Sequence, residues 1–187
     1  QRDGTFVEAT DTAGLGKLHG YFKGVAAGDI DNDGWPDIYL SDMGGLNRLL
    51  RNVEGKFVDV TQSANVSGPI YSFPTWFWDV DNDGDQDAMF ANYGPAPNTI
   101  WTNDGTGTFT NSGQSLGSSN SRCVALGQLN GDSYLDAMVA NDMTQTYGQP
   151  NTPEPNTVWI SGAAGSAYVF TNTGDTWNQV QELTATG

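Results

Sequence analysis

The chain has 187 residues, with 22 acidic against seven basic side chains and a formal charge of −15, a balance that argues against nucleic acid and anionic membrane surfaces as partners. No 18-residue apolar stretch is present, so nothing in it inserts through a membrane as a helix. The single cysteine, Cys123, excludes an internal disulfide.

In chain order, residues 4–10 align with residues 55–61, and the N-terminal stretch reads as a fourth β-strand arriving without its first three. His19 comes next, in a Gly/Leu/Lys loop, and reads as a surface residue, with no serine or cysteine motif near it to support catalysis. A four-strand unit then begins: residues 25–28, an acidic loop, residues 38–40, a third strand opening at Asn47, and a fourth after the turn at Gly55. The unit recurs with strands at 75–78, 88–90, from Asn98 and after Gly107, and again at 124–127, 137–139, from Asn156 and at 167–172. No 3.6-residue periodicity of useful length interrupts it, so the chain reads as all-β. Four short strands per unit of about fifty residues is the signature of a β-propeller blade.

The acidic loops start every 49 or 50 residues. The first places Asp29, Asp31, Asp33 and Asp37 around Gly34, and the second places Asp79, Asp81, Asp83, Asp85 and Asp87 around Gly84. A degraded third copy has Gln128, Asn130 and Ser133 where the others have Asp, Asp and Gly, and retains Asp132 and Asp136. Alternate carboxylates around a glycine converge on one point, which suits a hard cation with oxygen ligands; calcium fits better than magnesium, which keeps its waters. Without a cation such clusters repel. The opening also matches an EF-hand, but that loop needs a bidentate Glu at position 12. Here position 12 is Leu40, Phe90 or Val139, and each loop leads into a short apolar strand.

These units resemble FG-GAP/VCBS repeats, the calcium-binding blades of integrin α-subunit propellers and of many bacterial secreted proteins. The stretch from Gly28 to Asp42, together with residues 47–52, is close to the ASPIC/UnbV-type variety. The resemblance covers roughly residues 4–187 and implies calcium ligands at loop positions 1, 3, 5 and 9, with the backbone carbonyl at position 7. Carried over, these are Asp29, Asp31, Asp33, Asp37 and the carbonyl of Trp35, then Asp79, Asp81, Asp83, Asp87 and the carbonyl of Asp85. The third loop would use Asn130, Asp132, the carbonyl of Tyr134 and Asp136, as a weak or empty site. The chain departs from the pattern at Trp78, where the other units carry Gly28 and Gly127.

The expected organisation is one repeat array: a partial blade over 1–20, blades over 21–70, 71–121 and 122–175, and a partial blade over 176–187. Residues 182–187 read as the first strand of a new blade. Tyr71, Phe73, Trp76, Phe77 and Trp78 read as packing between blades, as do Trp101 and Trp159. Cys123 reads as a small buried hydrophobe. The 144–155 insertion reads as a flexible loop on the face where repeat proteins often bind, and Asn65 begins the single N-glycosylation sequon. The expected role is a non-catalytic, calcium-stabilised module of an extracellular protein, secreted or cell-surface, that binds protein or glycan. The rivals are a structural subunit that polymerises with further copies of itself through incomplete end blades, and an accessory carbohydrate-binding domain of a polysaccharide-active enzyme.

Overall fold

In the computed structural model the described residues are 4–66, 72–93, 96–117, 120–129, 131–132, 134–144, 152–153, 156–161, 166–173 and 176–184. Their regular structure is all strand, in antiparallel sheets. The first sheet is β1 (Phe22–Gly28), β2 (Asp37–Asp42), β3 (Arg48–Val53) and β4 (Lys56–Asp59), paired in that order. The second repeats it with β5 (Ser72–Trp78), β6 (Asp87–Asn92), β7 (Thr99–Asn103) and β8 (Phe109–Ser115). The third starts with β9 (Ser121–Gly127) and β10 (Asp136–Asn141). A two-stranded ladder of β11 (Met143–Thr144) and β12 (Thr152–Pro153) comes next, and β13 (Thr157–Ile160), β14 (Ser166–Thr173) and β15 (Thr176–Thr184) complete that third sheet. The ladder ties the ends of the insertion together, while residues 145–151 lie outside the described residues.

Alternation along the strands sorts the core between neighbouring sheets. All six residues of β6 are buried: Ala88 and Phe90 join Ile30, Tyr39, Leu49, Val66 and Phe109 in the cluster against the first sheet. Met89 and Ala91 face the other way, into a cluster with Trp78, Ile100, Val124, Val139 and Trp159. The aromatic residues expected to pack do so. Phe77 meets Tyr39 edge-on and also contacts Phe109, Trp78 is buried, and Trp76 flanks the second cluster. Tyr71 lies outside the described residues. Gly28 leaves room for this packing, because a Cβ there would stand 3.0 Å from the Cβ of Phe77.

A buried polar chain stitches the sheets on the edge away from the acidic loops. Within each sheet, the Asn that opens the third strand accepts from the backbone N–H at the end of the second: Asn47 from Asp42 (2.8 Å), Asn98 from Asn92 (2.8 Å) and Asn156 from Asn141 (2.9 Å). Between sheets, serines continue the chain. Asn47 donates to Ser72 Oγ at 3.0 Å, which donates to Asn92 Oδ1 at 3.0 Å; Asn98 donates to Ser121 Oγ at 2.8 Å, which donates to Asn141 Oδ1 at 2.8 Å. Buried amides satisfied on every side fix one register between sheets.

Three expectations are corrected. Residues 4–10 form no strand, and Phe6 and Val7 stand fully or almost fully in solvent. A fourth strand needs a third to pair with, and none lies beside it. The turn after this stretch does keep its repeat geometry. Ala13 N–H donates to Ala9 O as Ala64 does to Val60 O, and Phe57 N–H donates to Ala13 O as Phe109 does to Ala64 O. At the other end, the stretch expected to open a new blade from residue 182 belongs to β15, whose Thr184 pairs with Ser166 of β14. A short connection lets β15 fold back on the open edge of β14, a local pairing that outcompetes a distant one; residues 185–187 lie outside the described residues. Finally, Cys123 is exposed, because its neighbour Val124 takes the inward position on β9.

Candidate metal centres

Each acidic loop joins the first strand of its sheet to the second, so the rigid β1–β2 and β5–β6 ladders hold both ends. The tight path needs left-handed backbone at the fourth and sixth positions. Asn32 (φ 56°) and Gly34 (φ 88°) supply it in the first loop, Asn82 (φ 60°) and Gly84 (φ 100°) in the second. Asparagine and glycine tolerate that region best. In the third loop Gly131 takes the fourth position at φ 83°.

The first residue of each intact loop caps the turn from within. Asp29 accepts from the N–H groups of Asp33 (3.1 Å) and Gly34 (2.9 Å), and Asp79 does the same for Asp83 (3.1 Å) and Gly84 (3.1 Å). Asp33 and Asp83 each accept from the backbone two residues on. The ninth residue is the anchor. Asp37 is buried and accepts from Ile30 N–H (2.9 Å) and Asn52 N–H (2.7 Å), tying the loop to β3. Asp87 repeats this with Val80 (2.8 Å) and Asn103 (2.7 Å), and Asp136 with Leu129 (2.6 Å) and Ser161 (2.9 Å).

Two carboxylate triads result, Asp29 with Asp31 and Asp37, and Asp79 with Asp81 and Asp87, each with ligand oxygens within 4.8 Å of one another. Two oxygens bound to one calcium at about 2.3–2.6 Å can be up to roughly twice that distance apart, so both triads have the right span for a shared ion. The donor set is all oxygen, as a hard cation requires. In the first loop Asp31 Oδ1 is buried with no hydrogen-bond partner, an arrangement that is costly unless a cation meets it. Burial pushes the Asp37 carboxyl up from its ordinary value, against the two backbone bonds it accepts, with Asp31 and Asp33 adding to the rise. Burial likewise raises Asp81, and it drives Asp87 up to about 6. These are groups that a divalent ion would relieve.

Asp33 and Asp83 are exposed and stand outside the carboxylate triads, and the side chain of Trp35 at position 7 is exposed. In the third loop Asp132 accepts from Tyr134 N–H at 2.8 Å, while Asn130 and Ser133 lie outside the described residues. Two contacts that spacing alone does not expose tie the first loop to the second sheet: Asn32 donates to Asp85 Oδ1 of the second loop at 2.7 Å, and Asn103, at the end of β7, donates to Ile30 O at 2.7 Å. A third puts a guanidinium in the first loop, with Arg51 Nε 2.8 Å from Asp31 Oδ2.

Comparison with known proteins agrees with this geometry. A family model described as FG-GAP-like repeat matches residues 1–40 and 79–139, together more than half of the chain. The chain is also similar to cartilage acidic protein 1, 33% identical over 107 residues in Xenopus tropicalis and 32% identical over 97 residues in Homo sapiens. These alignments cover 53% and 48% of the chain but 16% and 14% of the relatives' length.

Proposed function

Because the chain belongs to the FG-GAP-like repeat family, we propose that it is a non-catalytic binding or adhesion module, stapled by calcium and working in the extracellular space. The observation that carries this reading is the pair of matched Asp triads, one per sheet, each held at both ends by strand pairing. Calcium at extracellular concentration keeps sites of modest affinity filled, which makes an ion a structural part of such a module. The relatives' name places them in cartilage, an extracellular setting in keeping with it. Rigid sheets would then present loops to a protein or glycan, the usual division between scaffold and recognition. The test is binding of the whole chain to arrays of matrix proteins and glycans, with calcium and with chelator. Binding that requires calcium and is lost in Asp31→Ala/Asp81→Ala supports the reading; calcium-independent binding, or turnover of a glycan, contradicts it.

One observation favours assembly as a second reading. The turn at residues 9–15 docks on β4 as the turn at residues 60–66 docks on β8, while Phe6 and Val7 ahead of it face solvent. The stretch ahead of that turn is suited to pairing with the sheet edge of another unit of the same repeat type. Light scattering on the calcium-loaded chain decides it. Particles well above 20.0 kDa that Phe6→Ser disperses support assembly, and a monomer at every concentration contradicts it.

A further inference from the structure

The two intact loops are alike in backbone and differ in charge. The first carries four carboxylates and the second five, and among the described residues only the first has a cation built in. Arg51 lies on β3, and its Nε stands 2.8 Å from Asp31 Oδ2, on a carboxylate whose side chain is only 8% exposed. Register places Thr102 at the matching position of the second sheet and Ile160 at that of the third, both uncharged. Among the described residues no ion pair is made to Asp79, Asp81, Asp83 or Asp87. Asp31 is thus divided: one oxygen faces the guanidinium and the other, Oδ1, is buried without a partner.

We propose that Arg51 is a resident counter-ion that makes the two calcium sites unequal, with the first loop weak and preformed and the second tight and dependent on its ion for shape. The inference rests on the calcium reading above. Like charges a few ångströms apart repel, and a guanidinium beside a ligand carboxylate both opposes the incoming ion and drains charge from its ligand. The same guanidinium offsets the repulsion among Asp29, Asp31, Asp33 and Asp37 when no ion is present, which the second loop cannot do. The module would therefore load in two steps, and only the first loop would empty and refill near its working calcium concentration without unfolding.

The test is calorimetric titration of the whole, chelator-stripped chain with calcium alone. Asp81→Ala silences the second site so that the first is read by itself. In that background Arg51→Thr is expected to tighten binding about tenfold, Arg51→Lys to leave it within about twofold, and the reciprocal Thr102→Arg, made in Asp31→Ala, to weaken the second site. Chelator-treated Arg51→Thr should also melt below the parent. Unchanged or weaker binding in Arg51→Thr overturns the role of Arg51 while leaving calcium binding intact. No calcium uptake by the Asp81→Ala parent overturns the calcium reading of the first loop itself.

Discussion

Asn98 is the keystone of the polar chain between the second and third sheets, and replacing it with alanine is a severe test of that chain. Its side chain is 1% exposed. Its Oδ1 accepts from Asn92 N–H at 2.8 Å, and its Nδ2 donates to Leu116 O at 2.9 Å and to Ser121 Oγ at 2.8 Å. Asn98→Ala strips a buried donor and two buried acceptors of this partner. A buried polar group left unsatisfied costs about 1–3 kcal/mol, and with some relaxation the three together cost about 3–5 kcal/mol. For a chain of this size each kcal/mol lowers the melting temperature by about 2–4 °C, so a fall on the order of 10 °C is expected in thermal melts at saturating calcium. Asn111→Ala, on an exposed stretch of β8, is the control and should stay within about 0.5 kcal/mol. Calcium affinity should not change, because the chain lies on the edge away from the loops. A loss below about 1 kcal/mol for Asn98→Ala would refute the claim that this chain fixes the sheets in register.

Two further expectations concern titration and reactivity. Asp87 is pushed up to about 6 in the folded chain, chiefly by burial, and a raised carboxylate stabilises the fold when protonated. That contribution is complete below the ordinary value of 3.8 and is lost as pH rises through about 6. Chelator-treated protein should therefore melt higher at pH 5 than at pH 7.5, with a difference that Asp87→Asn reduces; a metal-free melt that drops toward pH 5 in both proteins would contradict this. With calcium present the trend should reverse, since protons then compete for the ligands. Cys123, being exposed, should react with a maleimide in the native, calcium-loaded state, and a thiol reactive only after denaturation would show that β9 faces the other way.

The loops were legible from sequence because their chemistry is local: alternate carboxylates, a glycine at the sixth position and a buried anchor at the ninth all lie within nine residues. The strand order came from the same repetition, and Asn47, Asn98 and Asn156 stood out as the recurring openers of the third strand. The groups that join them did not. Ser72 and Ser121 sit in no motif of their own, and Phe22 takes their place opposite Asp42 in the first sheet, so no three-fold repeat marks them. Arg51 was hidden for the same reason, since its counterparts are Thr102 and Ile160. The end strands failed differently. Residues 4–10 have the right residues for a strand, but pairing depends on a neighbour, and residues 176–184 found one closer by, on β14. The orientation of Cys123 turned on which of two adjacent small residues faced the core, which β-alternation beside the irregularity at Ala140 and Asn141 does not settle from sequence.

The most direct measurement is calcium binding by the chelator-stripped chain, counted by native mass spectrometry and followed by melting. Two ions are expected, the second loop's surviving desalting into micromolar calcium and the first loop's held only as calcium approaches its extracellular level, with no third of comparable affinity and with one ion lost in each of Asp31→Ala and Asp81→Ala. The melting temperature should climb with calcium as linkage requires, by about 2.7 kcal/mol of stability for each site at a hundredfold excess over its Kd. A chain that takes up no calcium, or melts at the same temperature with calcium and with chelator, would contradict it.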